Sequence, residues 1–269
     1  MTVPTIVLED ISSAVGHPAV GITVRSASGA SVKRIANGVQ GRVRTAGQLD
    51  GDEYVEDHEV PVGVEVVYTV NSDEGSASAR ITIRTPSAWL SDPLDWTSGI
   101  ELDADGSHAR TRALPLLAYG SLISATRPMS GTLVLPLGST YPVALGQNRQ
   151  SSADLSVVIT AWTKEQANAV TTLLASAGII LLRIPAEAVE KNLYLFAENA
   201  DIHHNPISGI TRISLKGQSV SPPSTPIQIV RWSYETVLAA TGSATYSALL
   251  SAQAGATYID LKKAPLLGG

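Results

Sequence analysis

Cysteine is absent from the 269 residues. Its absence excludes disulfides, thiolate metal sites and a cysteine nucleophile, and leaves stability to packing alone. Phe occurs once, Met twice and Trp four times, so aliphatic residues carry most of the 44% hydrophobic content. Charged residues are scarce at 16%, and much of the polar surface is therefore Ser, Thr, Asn and Gly. Such a composition suits strands and turns rather than charged, solvent-facing helices, and it suits subunits that bury surface against one another. Clustered Lys and Arg are also lacking. With a formal net charge of −5 and a pI near 5.5, the chain has no electrostatic footprint for displacing phosphate counterions, and no direct nucleic-acid binding is expected. No apolar run of about 18 residues occurs, so no membrane insertion is expected. Met1 to Asp10 (MTVPTIVLED) lacks the basic-then-apolar order of a secretory leader. The expectation is synthesis in the cytoplasm and delivery to the final location by assembly.

What is present is a succession of short alternating segments punctuated by Gly, Asn and Asp, the pattern of a β-sandwich. In the first part of the chain the predicted strands are Thr5 to Glu9, Val20 to Arg25, Ser31 to Ala36, Val39 to Thr45, Val64 to Val70 and Ala77 to Arg84. Asn37-Gly38 between two of them tolerates the positive φ of a tight hairpin. Pro86 to Pro93 (PSAWLSDP) marks a boundary, because proline restricts itself and the residue before it. A second domain is expected beyond it, with strands at Gly99 to Asp103, His108 to Leu117, Gly131 to Leu137, Asp154 to Ala161, Ile179 to Ile184, Leu193 to Ala197 and Gly209 to Gly217. One helix is signalled within it. Thr163 as N-cap with Gln166 forms a capping box, Ala167, Val170, Leu173, Leu174 and Ala177 make one apolar face, and Gly178 supplies the stop.

The reading is thus mainly β: a sandwich over 1–86, a barrel-like β domain over 87–220 with a helix at 163–177, and a linker with a short helical C-terminal arm over 221–269. Ser221 to Pro226 (SPPSTP) is an extended linker. After it Tyr234, Tyr246 and Tyr258 recur at a spacing of twelve, each followed by an aliphatic residue three positions on, Val237, Leu249 and Leu261. Units this short cannot form a core, so the candidate assembly interface is Trp232, Tyr234, Tyr246, Leu249, Tyr258 and Leu261.

Patterns for chemistry are weak. His17, His58, His108, His203 and His204 stand in no HExxH or similar spacing. Asp201, His203 and His204 offer metal-ligating atoms, yet strand alternation puts only Asp201 and His203 on one side, and a strand end before Asn205-Pro206 explains them. Asp103-Ala104-Asp105-Gly106 opens like a calcium loop but lacks a closing Glu, and a hairpin turn at Asp105-Gly106 accounts for it. The acidic run Asp50, Asp52, Glu53, Glu56, Asp57 and Glu59 reads as a solvated edge rather than a paired-carboxylate site. No nucleophile–base, P-loop or dinucleotide motif is found. A non-enzymatic protein without cofactor or metal is expected.

Asp52 to Pro86 resembles the C-terminal half of a fibronectin type III domain through Asp57, Gly63, Val66, Tyr68, Val70, Gly75 and Ser78. The resemblance implies a structural role for Tyr68 as a core or corner tyrosine. A different sandwich with similar strand order is the alternative, since the first half has no core Trp. Asp92 to Trp96 (DPLDW), Arg127 to Leu137 (RPMSGTLVLPL) and Asp154 to Pro185 resemble minor tail and distal tail proteins of siphophages of actinobacteria, as does the Trp-Ser-Tyr tail with its Tyr-x-x-Leu repeats. This resemblance implies a split β-barrel-like domain, a homo-oligomeric ring, hexameric or trimeric, and a place in the virion tail beside the tail tube, tape measure and tail hub. The alternatives are a carbohydrate-binding host-attachment module, for which the first domain offers Tyr54 and Tyr68, and a bacterial surface protein, which the missing leader disfavours.

Overall fold

The computed structural model describes residues 3–118, 151–185 and 192–224, and between 119 and 150 the residues 121–122, 125–128, 131–134, 137, 140–141 and 143–146. The chain is mainly β and forms two compact units, Met1–Val60 with Glu65–Ile83, and Pro61–Val64 with Arg84–Pro223.

The first unit contains β1 (Thr5–Asp10), the single turn α1 (Ser12–Val15), β2 (Val20–Ala36), β3 (Val39–Arg42), β4 (Leu49–Asp57), β5 (Glu65–Ser72) and β6 (Gly75–Thr82). Its six-stranded sheet is organised by β2. The first half of β2 pairs antiparallel with β1 and β4, and its second half with β5 and β3. Between the halves the register with β4 shifts at Ala27 and again at Ala30, and Gly29 adopts φ +57. Bulges of this kind let one strand turn a corner between two packed layers. Expected as two strands, Val20 to Arg25 and Ser31 to Ala36 are one, because β4 stays paired through the corner at Ala27 and Ala30, between the end of the β1 pairing at Arg25 and the start of the β5 pairing at Ser31. The hairpin at Asn37-Gly38 is present, with φ +50 and +75 at its two residues and Ala36 paired to Val39. Alternation places Val66, Tyr68 and Val70 of β5 inward, all fully buried, against Ile22, Val24 and Val32 of β2 in the same core.

The second unit is built on a seven-stranded sheet in the order β8, β7, β13, β14, β15, β12, β9. Its strands are β7 (Ala88–Asp92), β8 (Asp95–Leu102), β9 (Leu116–Leu117), β12 (Leu155–Ala161), β13 (Ile180–Arg183), β14 (Asn192–His204) and β15 (Thr211–Ser219), all neighbours antiparallel. A separate two-stranded sheet pairs β10 (Gly131–Val134) with β11 (Val143–Gly146). The large sheet curls until its two edges meet. Just past β8, Asp103 donates its amide to Pro115 O at 2.8 Å and accepts from the Leu117 amide at 2.9 Å, in a parallel bridge to Leu116. Leu90, Leu102, Val157, Ile159, Leu182, Leu193, Ile213 and Leu215 fill the interior.

Helix α2 (Lys164–Ser176) covers this interior with Ala167, Val170 and Leu173, and Leu174 and Ala177 pack beside them. The Thr163 hydroxyl accepts from the Gln166 amide at 3.3 Å, while the Gln166 side chain accepts from the Trp162 amide at 2.9 Å. Gly178 is not a left-handed stop, since Ala177 already leaves the helix in extended conformation, with φ −85 and ψ 119. Pro86 to Pro93 lies just inside the second unit, whose main segment begins at Arg84, with Ala88, Trp89 and Leu90 buried on β7. Two other expectations change. His108 to Leu117 is not a strand beyond Leu116–Leu117, and Asp105-Gly106 is a turn without a hairpin. The cause is Asp103, whose buried carboxylate accepts from the Gly106 and His108 amides at 2.8 and 3.0 Å and so winds the chain into turns.

Candidate functional site

Polar chemistry in the first unit concentrates where β4 ends. Asp57 is the last residue of β4, opposite Val20, and Arg34 and Tyr68 lie opposite each other on β2 and β5. Arg34 Nη1 donates to both Asp57 oxygens at 2.6 and 2.7 Å, Tyr68 Oη donates to Asp57 Oδ2 at 2.8 Å, and the Glu59 amide donates to Oδ1 at 3.0 Å. Gly41, paired with Arg34 on β3, leaves room for the guanidinium, since a Cβ there would stand 3.3 Å from Arg34 Nε. Burial alone would raise the Asp57 carboxyl, but the Arg34 charge and the hydrogen bonds from Arg34, Tyr68 and Glu59 outweigh it and hold it below its ordinary value. The Tyr68 hydroxyl is pushed well above its ordinary value, by burial first and by the Asp57 carboxylate next.

Two further contacts extend the cluster. Arg44 grips Glu59 with two parallel bonds, Nε to Oε2 at 2.9 Å and Nη2 to Oε1 at 2.5 Å. Glu56 Oε2 lies 3.0 Å from His58 Nε2, His58 Nδ1 lies 2.8 Å from His17 Nε2, and His17 Nδ1 lies 3.2 Å from Val15 O. The Thr45 hydroxyl donates to the Glu56 carbonyl. These contacts link Val15 to Glu56 through two buried imidazoles, the donor at each link being set by the tautomers of His17 and His58.

Glu56, Asp57, His58 and Glu59 are all buried, which corrects the reading of the acidic run as a solvated edge; Asp50 and Asp52 alone fit it fully. A catalytic carboxylate must reach substrate, and these are enclosed and committed to Arg34, Arg44 and His58. The cluster is an ionic network buried in the first unit, each of its carboxylates bonded to a cationic or imidazole side chain. Tyr68 is wholly buried and Tyr54 nearly so, so neither presents a ring to a glycan.

The remaining candidates disperse. Asp201, His203 and His204 are exposed on β14, and His204 Nδ1 lies 3.0 Å from Thr211 Oγ1. Asp105 is exposed, and the hydroxyl and amide of Ser107 hold its carboxyl below the ordinary value. Among the described residues no group of three or more His, Asp or Glu is placed to hold a metal ion. Trp232, Tyr234, Tyr246, Leu249, Tyr258 and Leu261 lie outside the described residues, as does the expected helical arm. Sequence reasoning missed the pairing of Arg34, Arg44 and His17 with the acidic run. A signal existed in the apolar residues in and after that run, Tyr54 and Val55 within it and Val60 to Val64 following it, which mark a segment entering a core. No family profile matches the chain, and no curated protein does.

Proposed function

We propose that the chain is a structural, non-catalytic subunit of a bacteriophage tail tip, of the minor or distal tail type. In this reading it forms a homo-oligomeric ring that links the tail tube to host-recognition parts, and it resides in the virion tail. One observation carries the reading. Two of the segments that resemble tail proteins, Asp92 to Trp96 and Asp154 to Pro185, fall on the β7–β8 turn and on β12, α2 and β13, within one curled sheet covered by one helix, while the third, Arg127 to Leu137, holds β10 of the separate two-stranded sheet. That is the arrangement the resemblance implies for a ring-forming domain. The enclosed state of Glu56, Asp57 and Glu59 supports a role in geometry and adhesion rather than turnover.

The test is the mass of the purified full chain in solution, followed by electron imaging of any ring. A closed oligomer of fixed copy number is expected, and truncation after Pro226 should leave a folded protein that no longer joins it. A chain that stays monomeric at every concentration and with candidate tail proteins added, or one that cleaves cell-wall polysaccharide, overturns the reading.

A further inference from the structure

The hairpin of β14 and β15 ends in an open strand edge. β13 pairs only with the start of β14, from Ile180 opposite Leu195 to Arg183 opposite Asn192. From Asn199 to His204 the strand has β15 on one side, and among the described residues no strand on the other. Residues 198–204 are all exposed. Ile202 stands opposite Ile213, which is wholly buried in the interior, yet Ile202 is 51% exposed. The apolar face that contains Ile213 and Leu215 therefore runs on to Ile202 and stops at the edge.

The backbone direction follows from the end of the hairpin. Asn205 donates its amide to Ile210 O at 2.9 Å, so its polar groups face β15. Alternation then turns the amides and carbonyls of Asp201 and His203 toward β15, and those of Ala200, Ile202 and His204 outward. The side-chain contact between His204 and Thr211 agrees, because residues that do not exchange backbone bonds bring their side chains closest.

We propose that this edge pairs antiparallel with the same edge of a second copy, about a two-fold axis at Ile202. Register selects the partner. Outward groups meet outward groups only when the axis passes through a residue, and three centres keep the two pairs on either side clear of both the bulge between Ala197 and Asn199 and the turn that begins at Pro206. An axis at Asp201 sets two carboxylates face to face, which destabilises. An axis at His203 sets two imidazoles face to face and puts Pro206, which has no amide hydrogen, opposite Ala200. An axis at Ile202 sets Asp201 opposite His203 of the second copy, and His203 opposite Asp201, on one face. On the other face the two Ile202 side chains meet and extend the apolar surface. The strand Ala200-Asp201-Ile202-His203-His204 is thus complementary to itself in a single register. This contact stands apart from the ring and from the C-terminal arm.

The absence of cysteine makes the test direct. In the full chain, Ile202→Cys places two thiols on the axis, where paired Cα atoms of about 5.5 Å lie within disulfide reach. Mild oxidation should yield a covalent dimer at least about tenfold faster than Ile207→Cys, a fully exposed loop position that reports random collision. Asp201→Cys should link no faster than that control. Adding Asp201→Lys and His203→Lys to the Ile202→Cys chain should slow linkage about tenfold, whereas exchanging the two as Asp201→His and His203→Asp should preserve it. Equal rates at positions 202 and 207 would leave the edge to a strand of some other protein and overturn the proposal. Faster linkage at 201 than at 202 would overturn it too. Rapid linkage at 202 in a chain that forms no ring would sustain this contact while removing the ring.

Discussion

Replacing Asp57 with alanine removes the acceptor that two cross-strand neighbours share. Arg34 would keep its charge with only 8% of its side chain exposed, and the Tyr68 hydroxyl and Glu59 amide would each lose an acceptor. Removing one partner of a buried ion pair costs about 3–5 kcal/mol, chiefly because the other charge is left uncompensated. A domain has about 5–15 kcal/mol in total, so Asp57→Ala should take about a fifth or more of the first unit's stability. Arg34→Met should cost a similar amount, by stranding Asp57. The double variant Arg34→Met with Asp57→Leu should cost far less than the sum, since neither charge of the pair is left buried without its partner. Urea unfolding of the full chain distinguishes these outcomes. Trp89, Trp96 and Trp162 belong to the second unit, and Trp232 can be changed to Phe in all variants, so fluorescence then follows that unit while far-UV circular dichroism follows both. The expected result is a lower midpoint for a dichroism transition with the fluorescence midpoint unchanged. Additive single-variant costs, or a loss below about 1 kcal/mol for Asp57→Ala, would refute the claim that the cluster is a coupled buried network.

Acid should act through the same carboxyl. Because Asp57 is held below its ordinary value, its contribution is present above the unfolded value of about 3.9 and is lost as the pH falls through the folded value. The urea midpoint should therefore drop as the pH falls below about 5, and Asp57→Asn should flatten that drop; an unchanged slope contradicts the assignment. Tyr68→Phe should cost about 1.5–3 kcal/mol by calorimetry, the loss of one hydrogen bond to a buried charge. Gly217→Ala should cost about 2–4 kcal/mol, because the added Cβ collides with the Phe196 carbonyl at the β14 bulge, and a thermal midpoint within a degree or so of wild type would show that the bulge yields. Thr163→Ala should lower stability by about 1 kcal/mol, with Thr163→Asn restoring it if the lost function is the N-cap.

The parts legible in sequence are those whose signal is local. Asn37-Gly38 turns tightly because both residues accept positive φ, and α2 starts at Thr163 because hydroxyl and amide partners sit three positions apart. Val66, Tyr68 and Val70 alternate because one face of β5 is buried. Strand β4 was not foreseen, since charge masks its alternation: Glu56 and Asp57 count as polar in any pattern, yet Arg34 and His58 make them interior residues. The buried cluster is long-range by nature, with Arg34 and Asp57 23 residues apart and His17 and His58 41 apart. Nothing within a window of ten residues reports such partners. The turns after Asp103 escaped for a smaller reason, a side chain that captures the backbone before a strand can form. The open edge of β14 also required the sheet order, because exposure of Ile202 has meaning only once β15 is known to lie on one side of it.

Strand β2 has a kinetic consequence. It is the direct neighbour of β1, β3, β4 and β5, and β6 joins through β5. Its pairing with β3 closes through two residues at Asn37-Gly38, a step of about 1–10 μs for a hairpin. The bonds to β4 and β5 close much longer loops and carry the entropic cost of doing so. The rate-limiting event for the first unit is then the docking of β4 and β5 on the two halves of a strand already extended. Substitutions at Ile22 and Val32, which face those partners, should slow folding, whereas changes confined to β6 should act mainly by speeding unfolding.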